Sequence, residues 1–196
     1  MRMTPGDTET GFQVRSFDAD MPIETYRLLP KLPLHFVLDN LRSAFNVGAI
    51  FRTCDILRVK GLWLCGYTPY PPNKKLEKTS LGTTAYVPWH HTDSVAEAIG
   101  TLKSQGVAVW AAETTSRSVS YLKPTYPSEL AVVLGNETYG ISPEVVERCD
   151  LVIEIPTFGF KNSLNVASAC AVLGFAFMER VGIPLEGGSR KDEVEG

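Results

Sequence analysis

Leu130-Ala-Val-Val-Leu134-Gly135-Asn136-Glu137-Thr-Tyr-Gly140-Ile141-Ser142-Pro143-Glu144 is the stretch that decides the fold. It opens with five apolar residues, too few for a helix and without polar alternation, the pattern of a strand buried on both faces. A turn bracketed by Gly135 and Gly140 follows. Ser142, Pro143 and Glu144 then mark a helix start: a capping side chain, a preset φ and an acid near the positive end of the helix. Strand, glycine turn and helix together make the repeating unit of a parallel α/β sheet.

The same alternation extends in both directions. Short apolar runs lie at Leu34–Leu38, Leu62–Cys65, Ala85–Val87, Val107–Ala111 and Leu151–Ile155. Between them the spacing predicts helices over Val47–Leu57, capped by Asn46, over Asp93–Lys103, over Ser142–Cys149, and over Ser163–Arg180, capped by Asn162 or Ser163. The expected class is α/β, a mostly parallel sheet with helices on both faces, spanning residues 34–183. Residues 1–33 read as a partly ordered N-terminal extension. Residues 184–196, Gly-Gly-Ser followed by charges, read as a disordered tail.

The 196 residues suffice for one self-standing core, and the 44% hydrophobic content is that of a globular chain. No apolar run approaches the roughly 18–20 residues of a membrane span, and the N-terminus lacks the apolar core of a signal peptide. A cytoplasmic location is the expectation, with no membrane partner. Cys54, Cys65, Cys149 and Cys170 are scattered, and His90 and His91, if on a strand, point to opposite faces, so no metal site is expected. The net charge of −3 does not advertise a nucleic-acid partner, but it is uneven: residues 31–78 hold eight Lys/Arg against three Asp/Glu, a net +5. Such a segment is either a solvated surface or a phosphate-binding face.

Ligands of open α/β sheets bind beyond the C-terminal ends of the strands, so the strand-to-helix loops carry the chemistry. Three loops stand out, at 39–54, 135–142 and 156–166. Arg52 sits inside its helix, where a fixed guanidinium can clamp a phosphate. Glu137 follows a glycine turn at a strand end. Asn165 comes two residues after Ser163, near a helix start with free backbone N–H groups. Together they describe a polar site for a phosphorylated or hydroxylated substrate. Neither GxGxxG nor GxxxxGK[ST] is present, and no Gly-x-Ser-x-Gly elbow supports a hydrolase.

These three segments resemble the motifs of the SpoU (TrmH-like) family of RNA methyltransferases, in the SPOUT superfamily. The first is Asn46-Val-Gly-Ala-Ile-Phe-Arg52-Thr, the second Leu134-Gly135-Asn136-Glu137-x-x-Gly140-Ile141, and the third Ile155-Pro156-x-x-Gly159-x-x-x-Ser163-Leu164-Asn165-Val166. Their order and separation agree, and the similarity covers roughly residues 34–181. The resemblance implies a C-terminal deep trefoil knot, with S-adenosylmethionine held by Leu134, Gly135, Ile155, Pro156, Ser163 and Leu164. It implies a homodimer in which the first motif of one subunit faces the cofactor of the other. It makes Arg52, Asn46, Glu137, Ser163 and Asn165 the catalytic set. The departures are few: Ala167-Ser168 follows Asn165-Val166 where many relatives have Ser-Val, and residues 1–33 are not expected to form a separate RNA-binding domain.

The activity so implied is methylation of a ribose 2′-hydroxyl in structured RNA, tRNA ahead of rRNA. RNA contact then falls to the catalytic domain, through Arg42, Arg52, Arg58, Lys60, Lys74, Lys75 and Lys78. The alternatives are methylation of a base and a non-catalytic RNA-binding factor that retains the fold.

Overall fold

The computed structural model describes residues 21–182. The tail and the first twenty residues of the extension lie outside that range. Seven strands form one sheet: β1 (Leu32–Asp39), β2 (Val59–Cys65), β3 (Trp89–Thr92), β4 (Ala108–Ala112), β5 (Val119–Ser120), β6 (Leu130–Leu134) and β7 (Leu151–Glu154). Their order is β3-β2-β1-β6-β4-β7-β5, and every pairing is parallel. The helices are α1 (Ile23–Leu28), α2 (Ala44–Leu57), α3 (Lys74–Ser80), α4 (Val95–Ser104), α5 (Pro143–Val146) and α6 (Val166–Val181), with a 3₁₀ turn at Thr83–Ala85.

Side-chain alternation along the central strands builds two cores. On one face Leu34, Phe36 and Leu38 of β1 pack with Ile50, Cys54 and Leu57 of α2 and Cys170, Leu173 and Phe177 of α6. On the other face Val37 packs with Val109, Val133 and the Ala98, Ile99 and Leu102 side of α4. Burial on both faces is why these strands read as unbroken apolar runs. Phe36 and Phe177 are fully enclosed, and truncating either to Ala costs about 3–5 kcal/mol. Helices α2 and α6 approach closely at Gly174, where a Cβ would run into Leu57 and press on Phe36.

Several sequence expectations need correction. The run Ala85–Val87 is not a strand. Ala85 closes the 3₁₀ turn and the neighbouring strand begins at Trp89. Ser43, not Asn46, caps α2: its hydroxyl accepts from the Asn46 amide at 3.2 Å, which leaves the Asn46 side chain free for other partners. The helix expected from Asp93 starts at Val95, capped by Ser94, which accepts from the Glu97 amide. Asn165 rather than Asn162 or Ser163 caps α6, through the Ala167 amide at 2.9 Å. Helix α5 stops at Val146 instead of continuing to Cys149, and Ser142 precedes it without a side-chain cap. Helices α1 and α3 and the two-residue β5 carried too little periodicity to be read from sequence.

Candidate active site

The connection between β1 and β2 runs to one edge of the sheet, and β6 returns to pair with β1. Beyond the C-terminal ends of β4, β6 and β7 the loops open a cleft of about 650 Å³. That size lies in the small-molecule range of roughly 300–1,000 Å³. Leu134, Ile153, Ile155, Leu164 and Leu173 give it an apolar lining, and Glu113, Glu137, Ser163 and Asn165 give it polar points.

The loop after β6 is held by hydrogen bonds along its length. Asn136 and Gly140 bond reciprocally through their backbones at 3.2 and 2.9 Å. The Asn136 side chain accepts from the amides of Thr138 and Tyr139, and donates to the Asn40 carbonyl at 2.6 Å and the Tyr67 hydroxyl at 2.9 Å. Glu113, just past β4, accepts from the Ile141 amide at 2.9 Å. Gly140 has φ of +66°, the left-handed region, and a Cβ there would also strike the Glu113 carboxylate.

Glu137 then ties the three loops together. Its carboxylate accepts from the Arg42 amide at 3.0 Å, the Ser43 amide at 3.2 Å and the Asn46 side chain at 3.0 Å. Asn46 in turn accepts from the Asn165 side chain at 3.2 Å. Partial burial pushes the Glu137 carboxyl up, but these bonds to its charged form, with one from its own amide, outweigh burial and hold it below the usual carboxylate range. It is therefore a charged acceptor that organises donors, not a proton donor.

Of the residues proposed from sequence to hold a cofactor, Leu134, Gly135, Ile155, Ser163 and Leu164 line the cleft. Pro156 sits beside Ile155 but is not among the lining residues. Glu137 and Asn165 line it too, and Asn46 joins through Glu137 and Asn165. Arg52 does not reach the cleft of its own chain. It lies on the outer face of α2 with Phe45, Ala49 and Ile56, and Phe45 and Ile56 are 61% and 68% exposed. The basic set also divides. Arg42 and α3, with Lys74, Lys75 and Lys78, follow the C-terminal ends of β1 and β2. Arg58 and Lys60 stand at the start of β2, the opposite end of the sheet, and Lys60 is paired with Glu129 at 2.6 Å.

Sequence reasoning assigned no role to Asn40, Glu113 or Tyr67. Glu113 had a usable signal, a carboxylate immediately after a parallel strand. Asn40 and Tyr67 had none, because the bonds that tie them to each other and to Asn136 span 27 or more residues. No group of three His, Cys, Asp or Glu among the described residues is arranged to hold a metal. No described helix is long and apolar enough to cross a membrane. The cysteines are all free, and burial pushes the Cys65 thiol up to about 12, so it is not a nucleophile near neutral pH.

A fully parallel α/β domain with a ligand-sized cleft at the strand ends, fastened by polar side chains from three loops, defines a small-ligand-binding enzyme-type fold. The chain belongs to the SpoU rRNA methylase family, whose model matches residues 33–175. A Staphylococcus saprophyticus protein assigned to the TrmH family of tRNA/rRNA methyltransferases is 30% identical over 156 residues, 80% of this chain and 62% of that protein. The tRNA (guanosine(18)-2′-O)-methyltransferase of Aquifex aeolicus is 32% identical over 136 residues, 69% of this chain and 64% of that enzyme. The chain thus spans somewhat under two thirds of the length of either. An S-adenosylmethionine-bound rRNA methyltransferase from Sinorhizobium meliloti shares the fold, with a TM-score of 0.69, 24% identity, and coverage of 81% of this chain and 60% of that one.

Proposed function

We propose that this chain methylates a ribose 2′-hydroxyl in structured RNA, tRNA ahead of rRNA, using S-adenosylmethionine, as a homodimer in the cytoplasm. The observation that carries the reading is the Glu137–Asn46–Asn165 network, which joins the three family motifs at the rim of one ligand-sized cleft. The 2′-O chemistry of the Aquifex aeolicus relative supports the ribose as acceptor.

The cleft suits the cofactor. Leu134, Ile153 and Leu164 provide apolar walls for an adenine ring. Among the described residues, the hydrogen bonds of the loop 156–165 are confined to Asn165, so its main-chain groups are available to ring and ribose edges. When bound, the methyl sulfonium supplies an electrophile that needs in-line placement of the attacking oxygen. Glu137 keeps the Asn46 side chain fixed at the rim, and Ser163 and Asn165 shape the entrance. Arg52 is assigned to a substrate phosphate, since a guanidinium offers a fork of donors and no acceptor for a proton.

The dimer reading is supported by α2. Arg52 lies outside the cleft of its own chain, flanked by the exposed Phe45 and Ile56. A second copy placed on that face would bring Arg52 to the neighbouring cleft. In the same reading the region from β6 to α6 closes as a deep trefoil knot. The close packing of α6 against α2, and the Asn165–Asn46 bond at its start, are compatible with that path.

The test uses tritiated S-adenosylmethionine with separate pools of unmodified tRNA and rRNA. Label recovered as a 2′-O-methylnucleoside from tRNA is the expected result. Label in rRNA alone moves the substrate, and label on a base overturns the ribose assignment.

A further inference from the structure

On the same side of the sheet as the cleft, the loop between β2 and α3 carries two aromatic rings, of which the cleft loop uses only the Tyr67 hydroxyl. Tyr67 is 60% exposed and Tyr70 is 43% exposed. Tyr70 stacks on His91 with ring centroids 4.0 Å apart and an interplanar angle of 35°. We infer that Tyr67 and the Tyr70–His91 pair form a stacking platform for unpaired RNA bases flanking the target nucleotide. This rests on the RNA-methyltransferase reading above and narrows it: the modified nucleotide lies in a single-stranded stretch or loop, not within a duplex.

Three features set this loop apart from an incidental pair of surface tyrosines. The first is its rigidity. The Gly66 amide donates to the Thr92 carbonyl at 3.0 Å, the His91 ring contacts the Gly66 carbonyl at 3.1 Å, and the Tyr67 amide donates to the Asn40 side chain at 3.2 Å. Beneath them, buried Thr68 donates to the Cys65 carbonyl at 2.7 Å and accepts from the Leu41 amide at 3.0 Å. A ring held still before binding loses little freedom on stacking.

The second feature is position. The Tyr67 hydroxyl accepts from Asn136, whose next neighbour Glu137 holds the rim of the cleft. The ring is thus one hydrogen bond from the catalytic loop. The third is charge. Only four residues after Tyr70 comes α3, with Lys74, Lys75 and Lys78 exposed and Glu77 the one acid among them, and Arg42 is exposed after β1. Aromatic faces beside a track of cations are the combination that binds single strands, bases on the rings and phosphates on the lysines. A duplex hides its base faces and could use only the cations.

The experiment compares the wild-type protein with Tyr70→Ala, Tyr67→Ala and Tyr67→Phe. The probes are a fluorescein-labelled short single-stranded RNA and the duplex of the same sequence, read by anisotropy. Transfer of tritium to tRNA and calorimetric S-adenosylmethionine binding are measured in parallel. Tyr70→Ala and Tyr67→Ala should each weaken single-strand binding about tenfold and raise KM for RNA in step. Duplex binding should not change, and Tyr70→Ala should leave cofactor affinity as it is. Tyr67→Phe, which keeps the ring and loses only the bond to Asn136, should bind the single strand as wild type does. The platform is overturned if Tyr70→Ala retains full single-strand affinity, or if it loses both probes equally. It is overturned too if Tyr67→Phe loses as much as Tyr67→Ala, since the tyrosine would then act only through Asn136. A wild-type protein that binds single strands through Tyr70 but methylates neither RNA pool leaves the platform standing and overturns the catalytic reading. Binding of neither probe overturns the platform, and, joined with no transfer to either RNA pool, overturns the catalytic reading as well.

Discussion

The two loops that wall the cleft are built on opposite plans. Residues 135–141 are fastened by Asn136, Glu113 and Glu137 to three other parts of the chain. Among the described residues, 156–165 are fastened only at their last residue, and Phe158 and Phe160 stand 98% exposed. The first wall is complete in the single chain. The second displays main-chain polar groups and two large rings that stand clear of the core, Phe160 meeting only the neighbouring Lys161 among the described residues. Preorganisation on one side and unspent surface on the other leaves a bound ligand room to complete the site.

The largest effect expected from breaking this arrangement lies outside both loops. Arg52→Ala should lower turnover about 10²–10³-fold, the scale of losing one charge-stabilising donor. S-adenosylmethionine affinity should be intact, because Arg52 is assigned to the substrate phosphate and not to the cofactor. Calorimetry alongside single-turnover kinetics checks both halves, and near-full rates would remove Arg52 from the site.

The fastened wall is broken next. Gly140→Ala forces a Cβ into the left-handed region and against Glu113, and should cost about 1–2 kcal/mol from the backbone alone. Chemical denaturation would show it as a lower midpoint at unchanged slope. Glu137→Ala leaves the Arg42 and Ser43 amides and the Asn46 side chain without their acceptor. Discounted for exposure, that should cost about 1–2 kcal/mol. It should also weaken cofactor binding, measured by calorimetry; unchanged affinity would reduce Glu137 to a structural role.

The open wall should respond in the opposite sense. Phe158→Ser and Phe160→Ser should leave chain stability within about 0.5 kcal/mol, since neither ring packs on the core. Self-association, followed by sedimentation, and cofactor affinity should both fall. Loss of stability with association unchanged would reverse the comparison.

The smallest effect is with pH. Because the folded state holds Glu137 below its ordinary value, the unfolded chain takes up the proton first as pH drops. Its stabilisation is present above the ordinary carboxylate value and is lost as pH falls through the lower folded one. The difference in melting temperature between wild type and Glu137→Gln should therefore shrink on going from pH 6 to pH 3.5. A difference that stays constant across that range would show that Glu137 titrates normally.

The run Leu130–Leu134 was legible to the residue, and β1, β2, β4 and β7 to within a few residues, because double burial imposes apolar continuity on the chain itself. The expected site residues stand at motif positions, and five of the six expected to touch a cofactor line one cleft. The cap of α2 was misread for a physical reason. Serine and asparagine three residues apart are both good caps, and here the choice falls on the side chain that has no better long-range partner. Asn46 has such partners in Glu137 and Asn165, 91 and 119 residues away, so Ser43 caps in its place.

By itself the sequence determined the α/β class, the strand cores and the three loops with chemistry in them, since each is written in local periodicity and residue type. Only the tertiary structure decided that Glu137 joins those loops, that Arg52 faces away from its own cleft, and that Arg58 and Lys60 lie at the far end of the sheet from Lys74 and Lys75. Those facts depend on strand order, β3-β2-β1-β6-β4-β7-β5. That order is set by how seven short strands share two cores, and no single stretch of chain carries the information.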